Sequence, residues 1–273
     1  VASEYLILGR YDRATPAFER ALRIMERFER SIPRSQRLDA VHPQIAESLE
    51  GIARARCLMG HCEEALPLLA RARSIRVAVY GARHPALAPC LMSLAVVYRA
   101  LGHHEDALAV VERTLGLLEG AQRPGHRDIA IALTELAATH QVTGHHHVAL
   151  PLLERAARIW QTTEGGGGLD AARTFSELAL SYRAGGQAER AITQYERALR
   201  VLADQVSYFA AYRFEGGVAH LVDALGFDLD GVISLAVDHP GDQRARTVAY
   251  QAILLFKARD EEEVAATIAA LRA

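Results

Sequence analysis

The chain has 273 residues, 50% of them hydrophobic and 23% charged, and its 31 basic and 33 acidic side chains leave a formal net charge of −2. That balance argues against nucleic acid as the main partner, although a local basic stripe would escape the average. No apolar run approaches the roughly 20 residues of a membrane span, and Cys57, Cys62 and Cys90 are too few and too unevenly placed for a disulfide framework, so a cytoplasmic protein in a reducing compartment is expected.

In chain order the first feature is a turn signature. Gly9 stands five residues before Ala14, with Ala2 seven residues ahead of the glycine and Ala21 seven beyond Ala14. The pattern returns at Gly60 (Ala53, Ala65, Ala72), Gly102 (Ala95, Ala107, Thr114), Gly144 (Ala137, Ala149, Ala156) and Gly186 (Ala179, Ala191, Ala198). The last four glycines are 42 residues apart, whereas the first gap is 51, one period plus nine, which predicts an insertion between the first two repeats. A separation of seven places two small side chains on one helical face, where a second helix can approach closely. Two antiparallel helices joined at each glycine satisfy all three columns. The period predicts an all-α solenoid in which each helix pair buries its apolar face against its neighbours. Val1 falls at the seventh place of the first repeat, so the first helix is expected to start midway, and the chain to be a fragment with no initiator methionine or signal peptide in view.

The small residues at these three places around a helix-turn-helix resemble the tetratricopeptide repeat. The loops narrow the resemblance to the kinesin-light-chain subtype: His42-Pro43 and His84-Pro85 lie one period apart, and His126 follows at the next. Pro16, Pro67 and Pro151 sit seven residues after their glycines, where they are expected within the first helical turn. The segment EALPLLARARSIRVAVYGARHPALA, Glu64 to Ala88, follows the subtype's longer second helix. The resemblance spans residues 1–204 as five repeats, the first truncated. Repeat five replaces the His-Pro loop with Gly165 to Gly168, where a flexible loop is expected to precede the repeat. The resemblance implies a right-handed superhelix whose first helices line a concave groove for a protein or peptide partner. Carried onto this chain at spacings of three, four and three, the groove residues are Glu47, Glu50, Arg54 and Cys57 in repeat two and Pro89, Met92, Val96 and Arg99 in repeat three. Repeat four contributes Ile131, Thr134, Ala138 and Gln141, and repeat five Arg173, Ser176, Leu180 and Arg183. Charged pairs at one end, an apolar middle and two arginines at the other suit an extended peptide or a partner helix with an acidic end. Packing of this stripe against a neighbouring domain is the alternative.

Six of the twelve histidines keep to the repeat: His61, His103 and His145 follow turn glycines, and His42, His84 and His126 hold the loop column. Equivalent positions in successive repeats lie too far apart to share one zinc ion, so neither a metal nor any other cofactor is expected. Cys57 and Cys90 read as helix-packing residues. No nucleophile, base and oxyanion hole come together, and the tetraglycine lacks the Lys-Ser/Thr of a phosphate loop, so no catalytic residue is assigned. The arginine column Arg20, Arg71, Arg113, Arg155 and Arg197 reads as a solvated face with local ion pairs.

Residues 205–273 break the period and are expected to form a helical connector or cap, with breaks at Gly216-Gly217 and Gly226 to Asp230 and final helices over Arg244 to Lys257 and Glu261 to Leu271. The text DLDGVISLAVDHPGDQRARTVAYQAILLFKARDEEE resembles the connector between tetratricopeptide repeats and the protease domain of CHAT proteins, a bacterial caspase-like family. The matching points are Ser234-Leu235-Ala236, Ala249-Tyr250, Ile253-Leu254 and Lys257. The resemblance implies a partner-sensing regulatory region in bacterial signalling or defence, with the catalytic His and Cys beyond Ala273 and helices around Leu235 and Leu254 as coupling elements. It also implies a C-terminal caspase-like domain or an RNA-guided effector protein as partner. A freestanding scaffold or adaptor is the alternative.

Overall fold

The computed structural model describes residues 2–7, 9–31, 42–121, 126–163, 168–211 and 228–257. These residues form twelve α-helices and, among the described residues, no strand. The chain divides into two compact units, residues 1–124 and 125–273. The first unit holds α1 (Ala2–Ile7), α2 (Tyr11–Ser31), α3 (His42–Leu58), α4 (Cys62–Tyr80), α5 (Ala88–Ala100) and α6 (His104–Ala121), with a 3-10 turn, Pro85–Leu87, leading into α5. The second holds α7 (Arg127–Val142), α8 (His146–Thr162), α9 (Gly168–Ala184), α10 (Ala188–Ala211), α11 (Leu229–Asp238) and α12 (Gln243–Lys257). Within each unit consecutive helices pack as pairs, and each second helix also meets the first helix of the next pair.

The turn glycines do what the period requires. Gly9, Gly60, Gly102, Gly144 and Gly186 all have positive φ, between 68° and 88°. At Gly60 the N–H of the glycine donates to the Cys57 carbonyl (3.0 Å) and that of His61 to the Arg56 carbonyl (2.9 Å). The same two bonds recur at the other four turns, so each first helix ends in a Schellman motif. A Cβ at Gly60, Gly102, Gly144 or Gly186 would meet nothing within 4 Å, so the backbone angle alone selects glycine there. The alanines at the other columns, Ala53, Ala65 and Ala72 in repeat two and their equivalents in repeats three to five, are all fully buried, as is Thr114.

Pro16, Pro67 and Pro151 correct an expectation. Each is the sixth residue of its helix, not part of the first turn. All three are exposed, so the carbonyl that loses its hydrogen bond one turn earlier is left to water, and the helix continues. His84 and His126 supply a reason for the loop column: their Nδ1 atoms accept the backbone N–H of Ala86 (3.1 Å) and Asp128 (3.3 Å), capping the helical turns that follow.

The expected boundary after residue 204 falls inside α10, which runs to Ala211. Beyond it, α11 and α12 form a further antiparallel pair that packs against α9 and α10. Ala245 and Ala252, seven residues apart, are buried at the contact as in the earlier repeats. The turn between α11 and α12 differs: Pro240 occupies the place of the glycine, and Asp242 caps α12 by accepting the N–H groups of Arg244 (2.8 Å) and Ala245 (3.3 Å). The insertion at 32–41, Gly165 to Gly167, Gly216-Gly217 and the helix expected over 261–271 lie outside the described residues.

Candidate functional site

The stripe carried onto the first helices does not form one uniform surface. At about 100° per residue, the positions held by Glu47 and Arg54 coincide within about 20°, whereas those of Glu50 and Cys57 lie about 60° to 80° round the helix. The first pair points outward: Glu47 and Arg54 are exposed. Glu50 turns toward the second helix and is only 4% exposed. There its carboxylate accepts two hydrogen bonds from Arg76, at 2.6 Å from Nε and 2.9 Å from Nη2, and Arg76 Nη1 donates to the Ala86 carbonyl at 3.1 Å. Burial works against the Arg76 charge, but the bonds and charge of Glu50 outweigh it, and the guanidinium pKa is raised.

The equivalent positions one and two periods on carry different chemistry. Met92 and Leu118 are the pair in repeat three, and Leu118 is buried. In repeat four the pair is Thr134 and Trp160. Trp160 Nε1 donates to Thr174 Oγ1 at 2.8 Å, and the Thr134 hydroxyl lies 2.8 Å from the same oxygen. With Thr134 as donor there and Thr174 donating to the Asp170 carbonyl at 2.9 Å, the Thr174 oxygen accepts two bonds and gives one, so the buried cluster is satisfied. In repeat five, Ser176 is buried and accepts the backbone N–H of Asp228 at 3.4 Å. Glu50, Thr134 and Ser176 therefore belong to helix packing and not to an open groove, which corrects their assignment as partner contacts.

In the second unit the last position of each stripe turns toward the following pair. Gln141 donates to Ser181 Oγ at 2.9 Å. Arg183 stands 3.7 Å from Asp228 Oδ2. Arg173, at the first position, is bonded to the buried Glu135 at 2.8 Å, so both arginines expected to meet an acidic partner already face carboxylates of this chain. Of the stripe positions, Glu47, Arg54 and Pro89 are exposed; Cys57, Met92, Val96, Arg99, Ile131, Gln141, Arg173, Leu180 and Arg183 are half-buried; and Ala138 is buried.

Asp228 was not among the expected site residues, yet it joins α11 to the pair before it. It caps α11 by accepting the Gly231 N–H (2.9 Å) and accepts the Tyr195 hydroxyl at 2.7 Å. Burial first, and then the Asp228 carboxylate, push the Tyr195 pKa up. The signal in the sequence was the Asp-x-x-Gly at 228–231, an N-cap before an apolar run. Leu235 is buried in this contact and Leu254 is half-buried.

Cys57 does not act as a simple packing residue. It forms a disulfide with Cys62 across the α3–α4 turn, because the tight Schellman turn sets their Cα atoms 3.9 Å apart. Cys90 is buried, donates to the Leu69 carbonyl at 3.5 Å, and its thiol is pushed up to about 12, chiefly by burial. It is not a nucleophile at neutral pH. Among the described residues no three His, Cys, Asp or Glu side chains stand where they could share a metal ion, and no helix is long and apolar enough to cross a membrane.

A tetratricopeptide-repeat family model matches residues 44–120 and 128–204, and a second model of the same repeat matches residues 1–26. No curated protein sequence matches the chain. Among solved structures, the chain is similar to BtubC (BKLC) from P. vanneervenii, with a TM-score of 0.64, 17% identity and coverage of 90% of each chain. It is also similar to a Podosopora anserina protein described as a kinesin light chain with nearly identical TPR-like repeats, with a TM-score of 0.56, 22% identity, and coverage of 79% of this chain and 97% of that one. At these identities the likeness is one of fold.

Proposed function

Because the chain belongs to the tetratricopeptide-repeat family, we propose that it is a protein–protein interaction scaffold that receives an extended peptide or a partner helix on its first helices. One observation carries this reading. In the first unit α3 and α5 are in contact, Glu47 and Arg54 are exposed, and Met92, Val96 and Arg99 are half-buried. They combine charge with an apolar strip, the composition that peptide recognition by helical repeats uses. The reading is tested by placing a photo-cross-linking benzoylphenylalanine at position 54 in the protein's own cells, with exposed position 70 on α4 as control. Protein adducts from position 54 and not from 70 support it. Adducts from 70 alone, or from neither, overturn it.

A finer reading is that the chain is the regulatory region of a caspase-like protease of the CHAT kind. It rests on the resemblance of the text from Asp228 onward, and the contact of α11 and α12 with α9 and α10 supports it, since that contact would pass movement of the repeats on to Leu235 and Leu254. The gene beyond Ala273 tests it: a further domain of about 200 residues with one His and one Cys favours it, and its absence favours a freestanding adaptor.

A further inference from the structure

We propose a second docking site, on the second helices of the second unit, that takes an acidic segment of a partner protein in extended form. Between α8 and α10 lies an open cavity of about 260 Å³, lined by Glu154 and Arg158 of α8, Tyr182 of α9, and Arg190, Gln194 and Arg197 of α10. Its charge is unbalanced: three guanidinium groups face one carboxylate. That carboxylate is engaged, since Glu154 Oε1 accepts the Tyr182 hydroxyl at 2.6 Å. Arg190 lies over the Tyr182 ring, 5.6 Å from its centroid. None of the three arginines makes an ion pair among the described residues. Arg190 Nη1 donates to Gln187 Oε1 at 3.0 Å and Arg197 Nη1 to Gln194 Oε1 at 3.3 Å, both neutral amides. Other arginines of this unit are answered by acids: Arg173 by Glu135, and Arg244 by Glu189 and Glu196.

Unanswered like charges lining one cavity repel, and an incoming carboxylate relieves that repulsion while gaining the planar fork of each guanidinium. The spacing decides the kind of ligand. Arg190 and Arg197 are seven residues apart on α10, about 10 Å along the helix. One small anion cannot bridge that distance. An extended chain in the polyproline-II form, which advances about 3.1 Å per residue with three residues per turn, does so with acidic side chains three positions apart on one face. The Tyr182 ring and the Ala157 and Leu178 side chains at the base offer apolar contact between the two acids.

Random twelve-residue peptides displayed on phage are selected on the intact chain, counter-selected on the Arg190→Glu/Arg197→Glu double variant, and the enriched peptides measured by calorimetry. The expected result is enrichment of acidic pairs three residues apart, with affinity that falls about tenfold or more in the double variant and diminishes with added salt. Arg158→Gln, an exposed position, serves as an independent variant and should weaken the same peptides, with its circular dichroism unchanged. Enrichment of peptides without acidic residues, equal binding to the variants, or no enrichment at all would overturn the proposal. Displacement of the peptide by equimolar inorganic phosphate would also overturn it in favour of a small-anion site.

Discussion

The two units close the same contact between first and second helix with different chemistry. In the first unit, repeat two uses Glu50 and Arg76, a buried ion pair with two direct hydrogen bonds. In the second unit, repeat four sets Thr134 and Trp160 at the equivalent places and completes them with Thr174 from the next pair. Repeat three sets half-buried Met92 and buried Leu118 at the equivalent places, neither of them polar. What these solutions share is that no buried donor or charge among them is left alone. The contact demands volume and satisfaction, and particular residues are interchangeable only as matched sets.

Removing half of a set should have the largest effect. Glu50→Ala or Arg76→Ala leaves an uncompensated buried charge and should cost about 3 to 5 kcal/mol, seen as a lower urea midpoint. A shift no larger than that of an exposed ion pair, such as Arg71 with Glu26, would show that the pair is not buried in solution. Trp160→Phe keeps most of the ring but withdraws one donor from Thr174, and a loss of about 1 to 2 kcal/mol is expected. An unchanged midpoint would remove the indole N–H from the cluster. A further test concerns what the units have in common: Gly102→Ala and Gly144→Ala force alanine into a left-handed turn, and both should cost about 1 to 2 kcal/mol. Unequal losses would mean that the two turns are not held alike.

Much of this fold is legible in the sequence because a few positions admit few residues. A φ near +80° calls for glycine at Gly102 and Gly144, and a close helix crossing calls for alanine at Ala107 and Ala149, so a period written in those residues is a period in structure. The α11–α12 pair escaped the pattern because Pro240 replaces its glycine, although Ala245 and Ala252 kept the spacing of seven. The candidate site was less legible. A stripe on one helix names residues within about 80° of one another but not which edge its partner helix covers, and Glu50 shows its environment only through Arg76, 26 residues away. Asp228, which faces Ser176, Tyr195 and Arg183, belongs to the same class of residue whose role depends on distant partners.

The repeat positions of Glu50 and Arg76 form an interior contact that any matched set can fill. The most direct measurement is the urea midpoint of the Glu50→Met/Arg76→Leu double variant, which installs the repeat-three pair in repeat two. The expected midpoint is at or above that of the wild type, far from either single alanine variant, because removing both charges removes the desolvation penalty along with the pair. A double variant as unstable as the single ones would contradict it.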